Sequence, residues 1–106
     1  MTATAVDQQQ TNRAATWCAV AVSADPLTTV VGIAAGAVEG HPLWAALIDH
    51  AGIAGFLTVR LLAGLLAVGL VTVAVQAGRL SVRVLHVLTV AFFVIAVWNL
   101  AVALIA

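Results

Sequence analysis

The chain has 106 residues, of which 64% are hydrophobic and 8% are charged, whereas a soluble domain carries about 25% charged and about 45–50% apolar residues. Four arginines balance four acids, which leaves no basic footprint for nucleic acid. A chain this short cannot enclose so much apolar surface in one water-soluble core, so the composition points to lipid as the solvent and to an all-α integral membrane protein with three transmembrane helices.

Residues 1–13 hold Thr, Gln, Asp and Ala without periodicity and are expected to form a disordered, solvated tail. The membrane domain is expected to follow over residues 14–106. A hydrocarbon layer about 30 Å thick is crossed by about 20 apolar residues of helix, and the stretch after Arg13 meets that length with one charge, Asp25. The first helix is placed at about 15–37. A cleaved signal peptide is the alternative, with Ala14–Val22 as its apolar region and Val22-Ser23-Ala24 as the small-residue site. The long preceding tail, Asp7 and the apolar run resuming at Leu27 speak against it. Pro26 removes a backbone donor inside this span and is expected to kink it. Cys18, the single cysteine, excludes an intrachain disulfide. It reads as a small apolar residue, with palmitoylation as the lesser alternative.

Residues 38–53 are too short and too mixed to span again. Gly40 is expected to end the first helix, His41 to cap the next, and Pro42 to occupy its first turn. Leu43, Trp44, Leu47 and Ile48 share one stripe, which predicts a short interfacial helix over about 42–51 with Trp44 at headgroup depth. Glu39, His41, Asp49 and His50 are metal-ligand types, but their spacing matches no strong motif, and neither a metal nor a cofactor is expected. The second span is placed at about 54–77, a tight turn follows through Gly78 to Arg83, and the third span occupies about 83–105.

Positive residues flanking spans remain cytoplasmic. Arg13 precedes the first span, Arg79 and Arg83 lie between the second and third, and the first connection has neither Lys nor Arg. The expected topology in the cell membrane is N-terminus inside and C-terminus outside.

A charge at mid-bilayer costs at least about 2.5–3.5 kcal/mol, so Asp25 and Arg60 are the informative residues. Asp25, Thr28, Thr29, Gly32 and Gly36 fall at i, i+3, i+4, i+7 and i+11, one helical face combining an acid, two hydroxyls and small residues. Arg60, Ala63, Gly64 and Ala67 make a matching face on the second span. Rise per residue puts Asp25 about 16 Å and Arg60 about 9 Å below the outer ends of their helices, within reach along an arginine side chain. Asp25–Arg60 pairing is the leading expectation. Glu39 is an alternative partner, Asn99 can join the layer, and Arg60 reaching out to the interface beside a neutral Asp25 is the remaining reading. The functional reading of the same layer is an ion, proton or ligand site.

These features also carry a resemblance. An Asp followed by Thr in the first span (Asp25, Thr28, Thr29), then Gly32, then Glu39-Gly40-His41-Pro42, then a glycine-led helix with a basic residue (Gly52, Gly55, Arg60) resemble a family of small membrane proteins. That family is common in halophilic archaea, occurs also in bacteria, and is known only as a domain of unknown function. The likeness runs over roughly residues 17–104. His41 stands where the family has Asn, and Arg60 where it has Lys, which keeps the charge and changes the hydrogen-bond geometry. The resemblance implies a membrane location and no activity.

No nucleophile-base order, nucleotide-binding glycine motif or paired-carboxylate motif occurs, and Ser23 and Ser81 have no base placed beside them, so an enzyme is not expected. The expected role is structural or accessory, with the lipid bilayer, further copies of the chain or a larger membrane complex as partners. The alternative is a transporter-like or ligand-binding protein using Asp25, Glu39 and Arg60.

Overall fold

A computed structural model describes residues 5–37 and 40–105. Among these residues there are three helices, α1 (Ala5–Ala34), α2 (Pro42–Gln76) and α3 (Arg83–Ile105). Each is long and apolar enough to cross a membrane. α3 covers the residues expected for the third helix; the other two helices differ from their expected bounds.

α1 starts at Ala5, within the expected irregular tail. Alanine and glutamine are good helix formers, Asp7 in the first turn suits the helix dipole, and Gln8 Nε2 donates to Asn12 Oδ1 one turn on, at 3.3 Å. Thr11 and Ala14 are buried, so tertiary contact holds this turn. The helix runs through Pro26 and stops after Ala34, earlier than expected. Gly36 is the reason. With φ of 109°, it turns the chain so that its own N–H donates to Ile33 O at 3.0 Å and the Ala37 N–H to Gly32 O at 2.9 Å. This is the two-bond closure that glycine permits beyond a helix end. Gly40, expected as the terminator, is not the residue that ends α1. Gly36, expected as a packing residue, is instead the terminator, and a Cβ there would touch nothing within 4 Å.

The expected separate interfacial helix over 42–51 is not an independent element. Those residues form the first arm of α2, which passes through Gly52 at φ 75° and ψ 177°. His41 caps the arm, its Nδ1 accepting from the Leu43 N–H at 3.2 Å, and Pro42 occupies the first turn as expected. The interruption bends α2 sharply. In a straight helix Trp44 and Arg60 would lie about 24 Å apart along the axis, yet Arg60 Cζ stands 4.8 Å from the Trp44 ring centre. Only a glycine adopts the Gly52 conformation without strain. The far end of α2 closes like α1, with Gly78 at φ 75° and the Arg79 N–H donating to Ala74 O at 2.9 Å.

α1 is the spine. In its apolar span 33% of residues are buried, against 11% in α2 and 6% in α3, and α2 and α3 touch α1 far more than each other. Ala14, Cys18, Val22, Val68 and Leu85 form the buried cluster, which places the start of α1 beside the start of α3 and the far half of α2. Gly64 makes this approach possible, because a Cβ there would collide with Val22 Cγ1. Leu62, Leu66, Leu70 and Val73 line an outward face of α2 and are each more than 60% exposed, an apolar surface suited to lipid rather than water.

Candidate functional site

The polar residues of the three helices meet in one layer. α1 supplies Asp25, whose side chain is 11% exposed, and α2 supplies Arg60, at 16%. Arg60 Nη2 donates to Asp25 Oδ2 at 2.7 Å. α3 supplies Asn99, whose Nδ2 donates to the other carboxylate oxygen at 3.0 Å. Thus one carboxylate accepts from both neighbouring helices. A charge-assisted bond of this kind is short and roughly twice as strong as a neutral one, and it acts here in surroundings of low dielectric constant.

The threonines complete the layer. Thr28 Oγ1 donates to Ala24 O at 2.7 Å and Thr29 Oγ1 to Asp25 O at 2.9 Å, each satisfying its hydroxyl one turn back along α1. Their oxygens then face Asn99, 3.1 Å from Thr28 and 3.2 Å from Thr29. The Asn99 amide nitrogen is therefore surrounded by acceptors, and only its donor side fits. Gly32, one turn beyond, lies beside α3, where a Cβ would sit 3.8 Å from Asn99 O.

Two aromatic rings also contact Arg60. Its Cζ is 4.8 Å from the Trp44 ring centre and 5.7 Å from that of Phe56, distances at which a ring face attracts a cation. Trp44 and Phe56 meet edge to face at 6.3 Å, and His41 packs on Trp44 at 5.9 Å. Phe56 is wholly buried. The layer opens into a cleft of about 460 Å³ lined by Asp25, Arg60, Asn99, Trp44, His41 and Trp98.

The structure thus brings together Asp25, Arg60, Asn99, Thr28 and Thr29, with Gly32 and Gly64 at the close approaches. Glu39 lies outside the described residues. Gly40 and Pro42 flank His41, and Gly40 lines the same cleft; Asp49 and His50 are exposed on the arm of α2 and do not line it. Sequence periodicity misses Trp44 and Phe56 as neighbours of the cation. Trp44 is out of helical register with Arg60, and only the break at Gly52 brings it back. Glycine inside an otherwise helical apolar pattern was the available signal.

A profile described as a domain of unknown function, DUF5658, matches residues 16–105. The chain belongs to the DUF5658 family. The matched span contains α2, α3 and all but the first turns of α1, so every residue of the polar layer falls within the DUF5658 region. No curated protein and no solved structure matches the chain.

Proposed function

We propose that this DUF5658 protein is a multi-pass integral protein of the cell membrane, with the N-terminus cytoplasmic and the C-terminus outside. In this reading it serves as a structural or accessory component, acting through further copies of itself or a larger membrane complex. The observation that carries it is the Asp25 carboxylate held by Arg60 at 2.7 Å and by Asn99 at 3.0 Å. Both oxygens are engaged by donors from other helices, an arrangement suited to locking a small bundle rather than to abstracting a proton. The outward Leu and Val faces support residence in lipid. Arg13, Arg79 and Arg83 support the orientation, since their elements meet at one end of the bundle.

Alkaline carbonate washing tests the membrane reading: the chain stays in the pellet, and release into the supernatant would overturn it. With Cys18 replaced, a cysteine at Ser81 is protected from an impermeant thiol reagent in intact cells and one at His50 is labelled; the reverse pattern would invert the topology. Purification in mild detergent tests the role, with extra copies or a partner expected and a lone monomer contradicting it.

The open cleft favours a second reading, in which Arg60 and Asp25 receive a small ion or polar ligand. Arg60 uses one of its donors on Asp25, and its remaining donors are available toward the cleft. An Asp25→Asn, Arg60→Gln double variant that folds with wild-type stability but loses a cellular phenotype would favour this reading over the lock.

A further inference from the structure

We propose that the groove between the starts of α1 and α3 is a binding site for one anionic phospholipid, with its phosphate between Arg13 and His86 and an acyl chain running over Trp17 and Phe93. The inference rests on the membrane-spanning reading and concerns the end of the bundle opposite the polar cleft.

Gln10, Arg13, Ala14 and Trp17 fall at i, i+3, i+4 and i+7 on one face of α1. Val82, at the foot of α3, and His86, Thr89 and Phe93 on it fall at i, i+4, i+7 and i+11. The two stripes face each other and enclose a groove of about 660 Å³, within the range of about 300–1,000 Å³ typical of ligand sites. Its polarity is graded. Gln10, Arg13 and His86 lie toward the starts of the two helices, while Trp17 and Phe93 lie further along them, Phe93 about 10 Å beyond His86 by helical rise. An amphiphile with a polar head and a long apolar tail matches that gradient. A water-soluble ligand does not.

Charge selects the head. Three of the chain's four arginines, Arg13, Arg79 and Arg83, belong to this end, and Arg83 lies one turn before His86 on α3. α3 carries no acid. On α1, Asp7 lies farther out than Arg13, and Asp25 is about 18 Å away in the other direction by helical rise. The side chains of Arg13 and His86 make no hydrogen bond or ion pair with the described residues. Arg13 and His86 are exposed beside an apolar groove, at the depth where the phosphates of the inner leaflet would lie. Trp17, 60% exposed, offers the ring typical of a membrane interface just below them.

Native mass spectrometry of the intact chain in detergent tests the site, titrated with phosphatidylglycerol and with phosphatidylcholine of identical acyl chains. Retention of phosphatidylglycerol is expected to exceed that of phosphatidylcholine about fivefold or more, the effect of one cation at an anionic surface. Arg13→Gln removes about fivefold of that preference, and Trp17→Ala weakens both lipids alike. Equal retention of the two lipids would overturn the proposal, as would an Arg13→Gln variant with wild-type preference. Displacement of phosphatidylglycerol by millimolar inorganic phosphate would also overturn it, because a phosphate pocket would then suffice. A chain that resists carbonate extraction yet shows no lipid preference removes this inference alone; a chain released by carbonate removes the membrane reading first.

Discussion

Cutting Arg60 back to alanine should strand Asp25. The carboxylate would keep Asn99 at 3.0 Å and lose its 2.7 Å partner on α2, while Trp44 and Phe56 would lose the cation beside them. At an effective dielectric constant of about 20, opposite charges at this separation attract by about 6 kcal/mol before desolvation. Removing one member of a buried pair costs about 3–5 kcal/mol, because the survivor is left buried and uncompensated. Both side chains here retain slight exposure, which places Arg60→Ala near the lower end, about 3 kcal/mol. Arg60→Lys keeps the charge but loses the planar fork that Arg60 presents to Asp25 and Trp44, so it should be destabilising by less. The decisive comparison is a double-mutant cycle in mixed micelles. Asp25→Asn and Arg60→Gln are each harmful alone; together they leave no lone charge and should cost less than the sum by about 2–3 kcal/mol. Strict additivity would refute the lock, and the search for the partner of Arg60 would then move to Glu39.

Three further outcomes follow from the packing. Asn99→Leu removes the α3 donor and leaves Asp25 Oδ1 with one bond fewer, a loss of about 1–3 kcal/mol; unchanged unfolding in the same micelles would show that α3 is not tied through this residue. Gly64→Leu forces a side chain into Val22 and should cost about 1–3 kcal/mol, whereas the same change at exposed Gly69 should be tolerated; equal effects at the two glycines would contradict the close approach. Gly52→Ala places a Cβ at φ 75° and ψ 177°, a strain of about 1–3 kcal/mol. With Trp17 and Trp98 replaced by Phe, the emission of Trp44 should shift as the arm swings off Arg60, and an unmoved spectrum would show that the fold-back survives without glycine.

How far the sequence alone reaches differs from residue to residue. α3 is an uninterrupted apolar run between Arg83 and the end of the chain, so composition places it correctly. Asp25, Arg60 and Asn99 stand out because charge and amide groups are rare among so many apolar neighbours, and helical rise puts them at compatible depths. The start of α1 is misread because Ala5 to Asn12 has no apolar periodicity; its helix depends on alanine and glutamine propensity and on the burial of Thr11, a tertiary effect. Gly36 is misassigned because glycine serves equally at a helix contact and beyond a helix end, and spacing does not separate the two. Trp44 is missed because an aromatic residue near a span boundary reads as an interfacial belt, whereas one positive φ at Gly52 turns it inward.

The separations along the chain give the polar layer an order in time. Arg60 lies 35 residues after Asp25 and Asn99 lies 74 after it. At about 5–20 residues per second of synthesis, the acid of the first span waits about 2–7 seconds for its cation and about 4–15 seconds for its amide. In the membrane-spanning reading, α1 therefore enters the bilayer with its costliest group uncompensated. It would be retained at the site of insertion until α2 emerges, and α3 would close the bundle last. A nascent chain stalled before Arg60 should be extracted more easily than one stalled after it, which makes Asp25 a marker of the moment at which the first two helices join.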